Sequence, residues 1–196
     1  MNFLAHLYLS GNDIEIRLGN FIGDYIKGKR FDQYPAKVQT GIKLHRAIDS
    51  LTDNHPSTRI CKELLKPAYG RYAGVVTDVL FDHILANEWE NYSHRNLKNF
   101  TRTFYMQMLQ QHHLLPPEVR RFLPFMIQSN RLYSYKSTEG IHRALEIMSN
   151  HTTLPSKTDY AIEQLTENID IYKTHFNLLF ADLINLSINE YEITLG

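Results

Sequence analysis

Three stretches of this sequence place ionisable residues at helical spacing within otherwise apolar surroundings. Asn20 and Asp24 stand four apart, His45, Asp49 and Asp53 continue at that interval, and Asp78 and Asp82 repeat it with His83 alongside. Residues three or four apart share one face of a helix, so each stretch presents a short polar stripe. Asn2 and His6 add a fourth polar group to an apolar opening segment. Carboxylates brought together out of water repel one another and lose hydration. A divalent cation removes both costs. Carboxylate oxygens with imidazole nitrogens suit Mn, Mg or Fe, and also Zn, and a carboxylate-rich set favours the harder ions.

Each residue also has a plain structural reading. His6 is equally a hydrogen-bonded core histidine, His45 with Asp49 a helical i,i+4 pair, and Asp53 a solvated side chain. Asp24 sits near the end of its helix, where the dipole disfavours an anion. That placement favours use over accident. Asp78-x-x-x-Asp82-His83 is enclosed by Val79, Leu80, Phe81, Ile84 and Leu85, which makes a purely solvated face a poor explanation. Arg46 points about 100° away from His45. It could reach a phosphate as a forked donor, or form an ion pair with Asp49 or Asp53. No Gly-x-Ser-x-Gly occurs, and Cys61 has no histidine partner in the pattern, so nucleophilic catalysis has little support.

The elements that must position these residues read as helices almost throughout. The expected helices are Asn2 to Leu9, a second capped by Asp13 and ending near Gly28, and a third from Pro35 through Leu51. A fourth runs from Ser57 to Lys66, with Pro67 and Gly70 as the break. Then follow Tyr72 to Trp89, Asn96 to His112, and a helix from Pro116-Pro117 to Tyr133 with a kink at Pro124. Ser137 caps an eighth, and Thr158 or Asp159 caps a long ninth through Leu183. No period-2 run is convincing. The expectation is an all-α, single-domain bundle of eight or nine helices over residues 1–196.

Composition bounds the function. The chain has 196 residues, 43% of them apolar, with 21 basic and 21 acidic side chains. That suits a globular domain and argues against a generally basic nucleic-acid coat. The opening segment has no basic n-region, no stretch approaches a membrane span, and one cysteine excludes an internal disulfide. A cytoplasmic protein is expected, with no nucleic-acid or membrane partner. Charge is nonetheless uneven. Lys27, Lys29, Arg30, Lys37, Lys43 and Arg46 face only Asp24 and Asp32 between positions 24 and 46. Such a patch could receive an acidic partner, or be a solvated surface.

The segments Met1-Asn2-Phe3-Leu4-Ala5-His6-Leu7, Gly19-Asn20-Phe21-Ile22-Gly23-Asp24, Gly41-Ile42-Lys43-Leu44-His45-Arg46-Ala47-Ile48-Asp49 with Thr52-Asp53, and Asp78-Val79-Leu80-Phe81-Asp82-His83 together resemble the acyl carrier protein phosphodiesterase family, in its order and at similar spacing. The resemblance is dense up to about residue 90 and weaker beyond. It implies an all-α fold distantly like the HD-type metal-dependent phosphohydrolases. It implies hydrolysis of holo-acyl carrier protein to the apo form with release of 4′-phosphopantetheine, and a divalent ion, Mn²⁺ before Mg²⁺ or Fe²⁺. The positions it carries over are His6, Asp24, His45, Asp49, Asp78, Asp82 and His83. On this reading the metal set is His6, Asp24, His45, Asp78, Asp82 and His83, and the catalytic set is Asp24, His45, Asp49, Asp82 and His83. Arg46, Lys29 and Arg30 are expected on the substrate phosphate, and the acidic carrier protein on the basic segment. Two other classes fit the same residues: a phosphohydrolase of nucleotides or other small phosphodiesters, and a non-catalytic helical binding protein.

Overall fold

A computed structural model describes residues 1–196. Its regular structure is entirely helical: α1 (Phe3–Leu9), α2 (Ile14–Ile22), α3 (Ala36–Asn54), α4 (Pro56–Tyr69), α5 (Ala73–Asn87), α6 (Leu97–Gln110), α7 (Pro117–Gln128), α8 (Arg131–Ser134), α9 (Thr138–His151), α10 (Thr158–Glu167) and α11 (Ile169–Tyr191). The all-α expectation holds. The helix starts are chemically marked. The Asp13 carboxylate accepts from the amides of Glu15 and Ile16, and Ser137 Oγ accepts from Gly140 N, which satisfies donors that a helix leaves free at its first turn.

The boundaries differ in four places. The second helix ends at Ile22 rather than near Gly28, and a 3₁₀ turn over Gly23–Tyr25 follows. α4 runs through Pro67 to Tyr69. The amide that Pro67 lacks would have served only the last turn, and the chain leaves the helix at Gly70 with φ of 51°. The seventh helix stops at Gln128 because Asn130 adopts a left-handed conformation, φ 46°, so the residues up to Ser134 form the separate turn α8. The long ninth helix is two. Asn168 interrupts it, its side-chain amide donating back to the Gln164 carbonyl.

A continuous core of 49 buried apolar residues joins the helices. α11 threads Tyr172, Phe176, Leu179, Phe180 and Leu183 into it, while α5 buries Val76, Val79, Leu80, Phe81, Ile84 and Leu85. α2 and α3 approach at backbone distance. A Cβ at Gly19 would fall 2.0 Å from the Val38 carbonyl oxygen, and one at Gly41 would fall 2.2 Å from that of Ile16. Only glycines permit this crossing, and it brings the turn that follows α2, with Asp24, against His45 of α3. No helix is long and apolar enough to cross a membrane.

Candidate metal centre and cleft

The convergence of α1, α2 and α3 builds a compact histidine–carboxylate cluster. The His6 and His45 rings stack with centroids 4.3 Å apart, and both present Nε2 to one carboxylate. Asp49 Oδ1 lies 3.1 Å from His6 Nε2 and Asp49 Oδ2 lies 3.1 Å from His45 Nε2. Asp24 Oδ1 lies 3.2 Å from His45 Nε2 on the other side. One ligand atom from each of His6, His45 and Asp49 can be chosen so that all lie within 4.8 Å of one another. Both imidazoles are buried, Asp49 is part-exposed and Asp24 faces solvent. Gly23 is what lets His45 sit here, since a Cβ at that position would lie 2.3 Å from the ring.

The protonation pattern around His6 is dictated by Asn20. The Asn20 amide donates to the His6 carbonyl at 2.9 Å and to Ser10 Oγ at 2.8 Å, which fixes its orientation. Asn20 Oδ1 is then left to accept from His6 Nδ1–H, 2.7 Å away. In a neutral ring Nε2 is therefore a lone pair. It faces two further acceptors, Asp49 Oδ1 and the Met1 carbonyl oxygen, each at 3.1 Å. Burial holds the His6 pKa below its usual value, against the pull of Asp49. A bound divalent cation would reconcile these three acceptors. His45 differs. Burial disfavours its charge, but hydrogen bonds with Asp24 and Asp49 push its pKa up to about 9, and its Nδ1 is buried with no partner. Burial opposes ionisation of Asp49 as well, yet the two histidines hold its carboxyl well below the ordinary range. The donors, two imidazole nitrogens with the oxygens of Asp49 and Asp24, fit a borderline divalent ion.

The remaining expected residues are placed differently. Asp82 lies fully buried behind α1, where its Oδ2 and Oδ1 accept from the amides of Leu4 at 2.7 Å and Ala5 at 3.0 Å. It caps α1 from another helix. Burial pushes its pKa up to about 7 despite those two bonds. Asp78 Oδ1 lies 3.2 Å from the Met1 amino group. His83 is turned away, its Nδ1 donating to the Tyr135 carbonyl at 2.7 Å. Neither Asp78, Asp82 nor His83 touches the His6–His45–Asp49 group directly. Arg46 forms no ion pair with Asp49 or Asp53. It donates to the carbonyls of Ile26 and Gly28 at 2.7 and 3.0 Å and lies over the Phe31 ring, which anchors the 26–31 loop. Lys29 and Arg30 are exposed on that loop and, like Arg46, do not line the cleft. The expected placement of these three on the substrate phosphate therefore finds no geometric support.

The cluster opens into a cleft of about 1130 Å³, with Asp24, Asp49, Asp53 and Asp78 at one end. Lys62, Arg71, Arg121 and Arg131 also line it. They come from separate helices and turns, and none lies near another in sequence, so no charge run announced them. Asn20 stood in a recognised stripe, but its task of orienting His6 depends on α2 meeting α1.

The molecule is thus an all-α protein with a buried imidazole–carboxylate centre at one end of a large cleft. The chain belongs to the acyl carrier protein phosphodiesterase family, whose model matches residues 1–183. A relative from Serratia proteamaculans (strain 568) named acyl carrier protein phosphodiesterase is 32% identical over 151 residues, covering 76% of this chain and 78% of its own. A Klebsiella pneumoniae protein of the same name is 28% identical over 194 residues, covering 97% and 99%. One from Photorhabdus laumondii is 30% identical over 184 residues, covering 92% and 89%. No solved structure matches the chain significantly, so the HD-like part of the fold expectation gains no support.

Proposed function

We propose that this protein is a metal-dependent phosphodiester hydrolase that removes 4′-phosphopantetheine from holo-acyl carrier protein. Family membership supports the reaction. The observation that carries the metal is the His6 Nε2 lone pair facing the Asp49 carboxylate and the Met1 carbonyl. His6, His45, Asp49 and Asp24 would hold the ion, Mn²⁺ before Mg²⁺ or Fe²⁺. When bound, it supplies Lewis acidity and a water of lowered pKa.

The protein's own groups do the rest. Asn20 keeps the proton of His6 on Nδ1, so that Nε2 remains a ligand. Asp24, the most exposed member and hydrogen-bonded to His45, would complete the ion's oxygen donors. Asp82 holds α1 by its amides and so sets where His6 stands. The carrier protein approaches over the exposed Lys27, Lys29 and Arg30. Of the other cations in that segment, Lys37 pairs with Asp13 at 2.7 Å, Lys43 lies over Phe31 and Arg46 serves the loop. Residues 27–30 adjoin Asp24 and Tyr25, which line the cleft, so docking there would present the phosphodiester to the cluster. A cytoplasmic location belongs to the same reading.

The test is direct. Purified protein should convert holo-carrier protein to the apo form, read as the mass of the lost arm. Chelation should abolish the conversion and Mn²⁺ should restore it. Full activity in protein whose metal content has been brought near zero would refute the metal role, and no conversion by Mn²⁺-loaded protein would refute the reaction.

A further inference from the structure

The cleft is larger than a phosphodiester needs, and part of its wall is apolar. Phe122, Phe125 and Met126 of α7, Val75 of α5, and Ile147 and Met148 of α9 all line it. Three of these are exposed, Phe125 at 71%, the most of any large apolar side chain here, Val75 at 41% and Ile147 at 38%. Leaving such groups in water forgoes roughly 25 cal/mol per Å², and their clustering on one concave surface marks a ligand groove. The wall begins where the carboxylates end. The Phe122 ring lies 5.7 Å from Tyr25, the neighbour of Asp24, and 6.3 Å from Phe3 at the start of α1. Polar groups share the lining: besides the cations Lys62, Arg71, Arg121 and Arg131, there are amide and hydroxyl groups. Asn2 Nδ2 donates to the Tyr135 hydroxyl at 3.3 Å, and both residues line the cleft, as does Gln128.

We propose that this wall is the slot for the pantetheine arm of the substrate, an inference that rests on the reaction proposed above. The arm is an uncharged chain with a branched dimethyl carbon next to its phosphate end, then two amides, then a thiol. A groove with carboxylates near the histidine cluster, apolar side chains beyond them, and amide, hydroxyl and cationic groups among them would take that chain with its phosphate at the cluster. A carrier protein seated at residues 27–30 would leave its arm to run from the Asp24–Asp49 end past Phe122 towards Phe125 and Ile147. A slot of this kind makes the arm, rather than the phosphate alone, a determinant of which diester is cut.

Phe125→Asp and Ile147→Asp test it, because both side chains are exposed and should be replaceable without unfolding. Circular dichroism and Tm verify the fold, and Phe125→Leu serves as the conservative control. Binding of free 4′-phosphopantetheine to the Mn²⁺-loaded protein is measured by calorimetry, with inorganic phosphate as the ligand that reaches only the metal end. The Asp variants should weaken 4′-phosphopantetheine about tenfold, the loss expected when one large apolar contact is removed. Phosphate should bind as before, and Phe125→Leu should restore most of the affinity. KM for holo-carrier protein should rise in parallel. Wild-type turnover with no change in either variant overturns the slot and leaves the reaction standing. Selective loss of 4′-phosphopantetheine binding in a protein that turns over no holo-carrier protein overturns the reaction and leaves the slot. Equal weakening of both ligands also overturns the slot, since the wall would then act only through the metal end.

Discussion

Replacing Asn20 by Leu should both destabilise the protein and weaken its metal site, and the size of the first effect follows from three hydrogen bonds. Asn20 is fully buried and bonds His6 Nδ1, the His6 carbonyl and Ser10 Oγ. Leucine is close to it in size, so little cavity forms. The His6 carbonyl and Ser10 Oγ keep each other, since Ser10 Oγ donates to that carbonyl at 2.7 Å. Their lost bonds to Asn20 cost about 0.5–1.5 kcal/mol each. His6 Nδ1–H has no substitute and becomes an unsatisfied buried donor, which costs about 1–3 kcal/mol more. The sum is about 4 kcal/mol, and for a domain of this size it should lower Tm by about 8–16 °C. The ring can recover part of this by moving its proton to Nε2 and donating to Asp49, but Nε2 then ceases to be a metal ligand. Metal affinity should fall about 10–100-fold, as for other groups that orient a ligand histidine. Thermal unfolding of metal-free protein reads the first effect, metal titration the second, and ¹⁵N NMR of the imidazole the tautomer. A Tm within 2 °C of wild type, or a ring still protonated at Nδ1, would refute the reasoning.

Gly23→Ala should leave helical content intact but displace the His45 ring, because the new methyl falls 2.3 Å from it; metal affinity should drop on the order of tenfold or more, and unchanged titration would show that the ring has room to spare. Reversing Lys29 and Arg30 to Glu should lower kcat/KM on holo-carrier protein by about tenfold at low salt and much less at high salt, since exposed charges act mainly on encounter; a loss that does not respond to salt would place these residues elsewhere in the reaction. Cys61 is fully buried and burial pushes its thiol pKa up to about 12, so iodoacetamide at pH 8 should leave it unmodified until urea unfolds the protein. Rapid labelling of the native protein would contradict that burial.

Part of the site is legible in the sequence. Helical period alone puts Asp49 on the face of His45, because i,i+4 geometry is local and needs no partner; it misplaces Asp24, which lies past the end of α2 in a 3₁₀ turn and meets His45 while Asn20 meets His6. The caps at Asp13 and Ser137 are local too, since a side-chain oxygen finds an amide two or three residues on. What period cannot state is which stripes meet. That depended on Gly19 and Gly41 letting two backbones touch, and it drew His6, His45, Asp49 and Asp24 together while leaving Asp78, Asp82 and His83 to other partners. Asp82 sits in an apolar stretch for a reason only packing reveals: its carboxylate caps a helix 78 residues earlier in the chain. Arg46 looked free to bind phosphate because the carbonyls it holds belong to a loop whose path is set by tertiary contacts. The breaks at Asn130 and Asn168 were hidden because apolar period continues across them, and a change of helix axis leaves that period unaltered. The cleft wall came last, since Val75, Phe125 and Ile147 look like ordinary amphipathic residues in sequence. Only the mutual placement of α5, α7 and α9 leaves them uncovered around one opening.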